Sequence, residues 1–489
     1  MIDYAPMTNE ALQHHCEWRA EIEARDARIA KLEDELANLK RTVFGIKSEK
    51  MPRPNEALKK RGDIAKPTPE ERTARRKQGQ AWKDDLPEVD HVEVLPAELP
   101  PCKACDTPPA HPLPPRISFS YEEIPARIVK RRHVQPQVRC KCGQTIVTAA
   151  APRRIFDKCQ YGPELCAHLI TAKCADAIAI ERFARQLARI GVPVPASTLG
   201  NLFHRCAELL KPLYARLLAI IAAQAVVQAD ETRIQVQEKG ATRRAWVWTF
   251  LADDLVAYVF SASRSGDTPQ KVLGASQGTL VVDGYTGYNQ VCKPDNRQRA
   301  GCLAHARREL FDAKKDAPDL QQALDLILDV YRVEHKAMAG GFVRTPEHAE
   351  LRRTEGKAAM DALHTWLTTH QEAHLPQSAA RKAINYALNQ WSHLTVFLGI
   401  VGVPIDNNKS ERLLRVLARG RSSYLFVGHD DAGQNLAILM SLVLTAEACG
   451  KNPQAYLADV LMRVAEHPAA RIDELLPQNW VPVVVDAPA

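Results

Sequence analysis

VVQADETRIQVQ, residues 226–237, alternates side chains with the period of two expected of an extended strand. Val226, Asp230, Ile234 and Val236 share one face of that strand, while Val227, Ala229 and Glu231 share the other. An ionised Asp230 among apolar neighbours is costly unless a cation or a hydrogen-bond donor meets it. A strand end carrying a solvated aspartate has the same local pattern, so the surrounding chain has to discriminate between the two.

Outward from this stretch, RAWVWTFL at 244–251 and LVAYVFSA at 255–262 are separated only by a short polar break and suit consecutive antiparallel strands. A polar segment with helical potential, 267–276, leads into TLVVDGYTGY at 279–288. The β-branched run Thr279 to Val282 predicts a short strand buried on both faces, with Asp283 at its end. RAGCLAHARRELFDAKKD then gives a further short strand and a helix. Three meandering strands, a helix, a buried strand, then strand and helix describe a mixed sheet covered by helices. In such a sheet the strands of Asp230 and Asp283 can be neighbours.

Two carboxylates held together repel unless they share a cation. Divalent ions about 3.5–4 Å apart on such oxygens stabilise the attacking and leaving oxygens of phosphoryl transfer, for which a third acid is needed. IDNNKSERLLRVLARGRSSYLF at 405–426 offers Glu411. The spacing from Asn408 to Glu411 is equally that of a helix capping box. Arg412, Arg415, Arg419 and Arg421 follow closely, a density suited to phosphate.

Upstream, Ile22, Ile29, Leu36 and Val43 repeat every seven residues with Leu32 and Leu39 three further on, as in a coiled coil interrupted at Arg25. A Pro-, Lys- and Arg-rich stretch reads as a linker. Cys102 and Cys105, with Cys140 and Cys142, have paired thiol spacing suited to tetrahedral zinc, although the second pair is one residue tighter than usual. Between the pairs, RIVKRRHVQPQVR is basic and alternating, and Arg131 and Arg132 are candidate phosphate contacts. IERFARQLARIGVPVPASTLGNLFHRC at 180–206 has helix-turn-helix patterning, which two packed helices without any DNA role would also show. The 489 residues, 45% apolar and 25% charged with a formal charge of +7, are those of a multidomain globular protein. The longest apolar run, 217–227, is too short to span a bilayer, and the first residues lack a secretory pattern. A cytoplasmic location follows as an expectation, and with it metal binding rather than disulfides for the clustered ones among the twelve cysteines.

The motifs KSEK at 47–50, the cysteine pairs, ADETRIQV, VVDGYTGYN, CLAHARREL, IDNNKSERLLR and YLFVGHDDAGQNLA occur in an order that resembles the transposases of the IS66 insertion-sequence family along the whole chain. The resemblance implies a multidomain α/β protein with an RNase H-like core, in which Asp230, Asp283 and Glu411 are the three acids of a DDE site binding two Mg²⁺ ions, with Mn²⁺ as a substitute. It also implies that Cys302 and His305, a C-x-x-H motif, support the active site. The expected organisation is a coiled coil (1–46), basic linker (47–92), zinc-binding module (93–150) and helix-turn-helix-like DNA-binding domain (151–215). The catalytic core (216–316) follows, then an all-helical insertion (317–400), the third-acid helix (401–430) and a C-terminal helical region (431–489). The implied activity is cleavage of transposon ends and strand transfer to target DNA. The implied partners are DNA, further copies of the chain and accessory proteins of the same element, in a bacterial, nucleoid-associated setting. The competing readings are a transposase-derived DNA-binding protein without catalysis and a non-transposing nuclease of the same fold.

Overall fold

The computed structural model describes residues 128–139, 146–293 and 295–482, with Glu70 alone before them. Every element below belongs to one unit, Phe119–Ala489. The predicted coiled coil and all four paired cysteines lie outside the described residues. At the edge of the cysteine segment, β1 (Gln137–Arg139) and β2 (Ile146–Thr148) pair antiparallel, and Arg131 and Arg132 precede them as exposed, non-strand residues.

The central sheet begins with β3 (Val226–Glu238), β4 (Ala241–Ala252) and β5 (Leu255–Ser261). Each connection is a two-residue turn with positive φ, at Gly240 in the first and Asp253 in the second. That backbone twist matches the flanking strands and fixes the antiparallel meander. Helix α4 (Asp267–Leu273) then carries the chain across to β6 (Gly278–Val281), and β7 (Arg297–Ala300) completes the order β5-β4-β3-β6-β7. Both β3–β6 and β6–β7 are parallel. Gly278 opens β6 at φ +111°, where a Cβ would sit 2.2 Å from the Ala225 carbonyl oxygen, so close docking on β3 requires glycine there.

Helices α1 (Pro163–Cys174), α2 (Ile180–Arg189) and α3 (Ala196–Ala222) precede the sheet. The position 215/216, where the sequence reading parts a helical domain from the core, lies inside α3. Buried residues of α1 and α3 belong to the same hydrophobic cluster as the sheet and as the late helices α13 (Asp430–Ala448) and α14 (Pro453–Arg463). Helix α13 is buried almost all round and lies along the outer edge of β5. There Ser441 Oγ accepts from Tyr258 N at 2.8 Å, Thr445 Oγ1 accepts from Val256 N at 3.0 Å, and the same hydroxyl donates to the Val256 carbonyl at 2.9 Å. Backbone groups that an edge strand would leave unpaired are thereby satisfied.

Between β7 and the last long helices the chain is helical: α5 (Leu303–Ala313), α6 (Leu320–Gly340), α7 (Pro346–Leu351), α8 (Lys357–His370), α9 (Ala379–Asn389), α10 (Trp391–Leu394) and α11 (Val396–Gly399). A π-turn, Arg352–Gly356, joins α7 to α8. These helices have their own buried residues, among them Leu310, Ile327, Leu363 and Ile384. At their centre Arg352, 2% exposed, grips both oxygens of Glu334 at 2.7 Å while its Nη1 lies 3.0–3.3 Å from the carbonyl oxygens of Phe397, Ile400, Val401 and Val403. His348 Nε2 sits 3.3 Å from Glu334 Oε1. The helical excursion is thus tied to the loop that leads into α12 (Asn408–Tyr424).

Candidate active site

The parallel register of β3 and β6 pairs Val226 with Thr279, Val227 with Leu280 and Gln228 with Val281. The same sequence offset relates Asp230 to Asp283, each two residues beyond the last pair, so both acids stand at one level and on one face of neighbouring strands. Strand β6 ends there while β3 runs on. The open edge of β3 is taken up later by Val427, whose carbonyl accepts from Gln237 N at 2.8 Å and whose N–H donates to the Gln235 carbonyl at 2.9 Å. Helix α12 lies over the interval between these pairings and packs on β3 and β4. It places Glu411, in its first turn, near enough to Asp230 for its charge to add to the rise of that carboxyl.

The capping-box alternative for Glu411 does not describe this helix. The N-cap is Asn407, one residue earlier than the box requires, and Asp406 caps instead, its Oδ1 accepting from Asn408 N at 3.1 Å. Glu411 turns away from the cap. Its Oε2 accepts from Arg308 Nη2 at 3.2 Å, and its Oε1 lies 3.7 Å from His305 Nδ1, beyond hydrogen-bond reach. That oxygen and that nitrogen are buried without a hydrogen-bond partner among the described residues.

Asn407, 1% exposed, was quoted within its motif but given no role by the sequence reading. Its Nδ2 donates to the carbonyl of Ala229, the residue before Asp230, at 2.7 Å. Its Oδ1 accepts from Ser410 Oγ at 2.8 Å, and its backbone N–H donates to Cys302 Sγ at 3.2 Å. One side chain therefore joins the strand of the first acid to the helix of the third. The signal was the first Asn of IDNN, whose partner is a backbone atom that no pattern in the sequence names.

Asp283 is held by its own turn: its Oδ1 accepts from Tyr285 N at 2.9 Å, and Arg299 donates to the Asp283 and Tyr285 carbonyls. Gly284 allows Tyr386 of the helical excursion to close on this turn, since a Cβ there would meet the ring at 3.1 Å. Burial, followed by the charge of Asp283, pushes the Tyr386 hydroxyl up to about 12.

The electrostatics separate Asp230 from its neighbour. Asp230 accepts one hydrogen bond, from Glu231 N at 2.8 Å. Burial raises its carboxyl to about 8, and the charges of Glu231, Asp283 and Glu411 add to the rise. Glu231, its side chain 1% exposed, points to the other face as the strand parity requires. It accepts from Tyr288 Oη at 2.5 Å and from Arg264 Nε and Nη2 at 2.9 and 2.6 Å, and Arg264 stacks over Tyr285. Burial still raises Glu231, against the lowering effect of those two partners. The carboxylates of Asp230, Asp283 and Glu411 come from three elements, and Asp230 is raised first by burial and then by its acidic neighbours; oxygen donors of this kind suit a hard divalent cation.

The remaining candidates behave differently from one another. Cys302 is buried and its thiol is pushed up to about 12 by burial, so it is neutral and a poor nucleophile. Arg412, Arg415 and Arg419 are exposed on α12. Arg421 is not free in the same way: it donates to Thr232 Oγ1 at 3.0 Å and to the Arg233 carbonyl, pinning α12 to β3. No helix among the described residues is long and apolar enough to cross a membrane.

Residues 158–435 match the profile of the transposase IS66 family, and residues 441–478 match the IS66 C-terminal element. The uncharacterized protein y4jD of Sinorhizobium fredii (strain NBRC 101917 / NGR234) is 30% identical over 94% of this chain and 96% of its own length. Two further uncharacterized proteins of that strain, y4hP and y4qI, are 27% and 28% identical over 83% and 73% of the chain, and over 78% and 69% of their own lengths.

Proposed function

The chain belongs to the IS66 transposase family, and from that premise we propose that it cuts and joins DNA through Asp230, Asp283 and Glu411 in an RNase H-like core. The strand order, with three antiparallel strands followed by two parallel ones, supports the fold assignment. The observation that carries the catalytic reading is that Asp230, with a single backbone donor and no cation of its own, feels the charges of Asp283 at the end of β6 and Glu411 on α12. Two Mg²⁺ or Mn²⁺ ions bound there supply Lewis-acid stabilisation of the attacking and leaving oxygens in an in-line displacement.

The chain's own groups have separable tasks in this reading. Asp230 releases its proton on becoming a ligand. Asn407 and Arg421 hold α12 against β3, which keeps Glu411 in range, and Arg299 fixes the turn that presents Asp283. The exposed arginines of α12, the basic residues Arg131 and Arg132, and the α2–α3 pair are offered as contacts to the DNA backbone. The first displacement uses water to free a 3′ hydroxyl at the element end, and the second uses that hydroxyl to attack a target phosphodiester, so no covalent enzyme intermediate forms.

The test is to incubate the purified protein with its own element ends, a target plasmid and Mg²⁺, and to sequence any joints. Joints at the element ends support the proposal. DNA binding without joints favours a transposase-derived binding protein, and cleavage without joining favours a nuclease.

A further inference from the structure

Beside the carboxylates lies a group of different chemistry. Cys302, the N-cap of α5, and His305, one turn into it, face Glu411 of α12, and Sγ, Nδ1 and a Glu411 oxygen all lie within 4.8 Å of one another. His305 Nδ1 and Glu411 Oε1 are the closest measured pair at 3.7 Å, and both are buried without a hydrogen-bond partner among the described residues. Tetrahedral zinc bound at about 2.0–2.3 Å to nitrogen, oxygen and sulfur sets its ligands roughly 3.3–3.6 Å apart. The trio therefore needs a contraction of at most about 1.5 Å to enclose such an ion. Arg308 occupies only the far oxygen of Glu411, and the Asn407 N–H on Cys302 Sγ is the kind of donor that steadies a ligating thiolate.

We propose that Cys302, His305 and Glu411 form a site for one thiophilic divalent cation, with water completing the tetrahedron, and that zinc bound there draws Glu411 away from Asp230 and Asp283. Mg²⁺ takes oxygen ligands and has no use for a buried thiol and an imidazole. The two sites therefore select different metals while competing for one carboxylate. The binding half stands on this trio alone; the inhibitory half rests on reading Glu411 as a catalytic acid.

The probe is Co²⁺ titrated into the full-length chain, with absorption of the thiolate-to-cobalt and d–d bands recorded for the parent, Cys302→Ser and His305→Ala. Cys102, Cys105, Cys140 and Cys142 remain intact in all three, so any cobalt they take is common to them. Each variant is expected to lose one cobalt equivalent and the intensity due to one thiolate, with Zn²⁺ displacing the cobalt from the parent. Should Cys302→Ser fail to fold by circular dichroism, His305→Ala at its half-buried position carries the test. Equal stoichiometry and unchanged spectra in parent and variant overturn the site, and this arm needs no turnover. In a second arm, Zn²⁺ is added to Mg²⁺-supported strand transfer. The half-inhibitory concentration is expected to rise at least about tenfold in His305→Ala. Cobalt binding together with strand transfer indifferent to Zn²⁺ leaves the site standing and overturns its claim on a catalytic Glu411.

Discussion

Two largely buried acids in this molecule live under opposite regimes. Glu334, within the helical excursion, meets a guanidinium through both oxygens and a histidine through one, and Arg352 in turn is surrounded by backbone carbonyls. Asp230, on the central sheet, has a single backbone donor and three acidic neighbours, and burial holds its carboxyl at about 8. The first arrangement completes itself with protein groups and serves packing. The second is left short of positive charge, which a structural ion pair never is. The lesson is that burial alone does not single out a candidate catalytic carboxylate; burial without internal compensation is what sets Asp230 apart from Glu334.

That contrast breaks most visibly at Asp230. Asp230→Asn keeps the shape and removes the charge, so cleavage and strand transfer should both fall by about 10³-fold or more, several kcal/mol of transition-state stabilisation, while DNA affinity in a filter-binding assay stays within a few-fold. Glu231→Gln should retain much more activity, because its face is not that of the other acids. An active Asp230→Asn beside an inactive Glu231→Gln would place the site on the wrong face of β3.

At the compensated pole, Arg352→Ala leaves Glu334 buried without its cation and should cost about 3–5 kcal/mol in urea unfolding. Arg352→Met combined with Glu334→Gln should recover much of that loss, and no recovery would mean that the carbonyl contacts, rather than the ion pair, carry the stability. Asn407→Ala removes two buried hydrogen bonds, to the Ala229 carbonyl and from Ser410 Oγ, and should cost about 1–3 kcal/mol. Its signature is kinetic: kcat for strand transfer drops while KM for the DNA ends holds, whereas a general loss of folding would lower the active fraction and leave the kcat of what remains.

Per pH unit, the smallest effect is that of acidity. A carboxyl raised in the folded state binds its proton more tightly there than in the unfolded chain, so Asp230's contribution to metal-free stability is fully present near pH 4, falls as pH rises, and is lost above about 8. One such group changes stability by at most about 1.4 kcal/mol per pH unit, or roughly 1–4 °C in Tm. Asp230→Asn should flatten that slope, and so should Mg²⁺. A slope unchanged by both would remove Asp230 as its origin.

The sheet was legible because alternation and two-residue turns are local: the strands at 226–238 and 241–252 contain the stretches that were read, the strand at 255–261 stops one residue short of the third, and a short run ending before Asp283 is β6. Adjacency of Asp230 and Asp283 was only permitted by the pattern, since the crossover through α4 could have landed elsewhere; the register itself is a property of packing. Glu411 was legible as an acid but ambiguous in role, because a capping box and a displaced cap differ by one residue, the scale on which helix ends are hard to place. The arginines of α12 looked alike in sequence, yet Arg421 binds β3 and Arg412, Arg415 and Arg419 remain exposed. Asn407 and Arg352 stayed hidden because their main partners are carbonyl groups, which every residue possesses and no motif records.

The cover on the β5 edge has a consequence for synthesis. Tyr258 leaves the ribosome 183 residues before Ser441, the hydroxyl that satisfies its backbone. At about 5–20 residues per second, the outer edge of β5 waits roughly 10–40 s for α13. Until then the nascent meander presents Val256 and Tyr258 as a free pairing edge to any neighbouring chain, so the period of greatest aggregation risk lies in translation of the helical excursion rather than of the sheet itself.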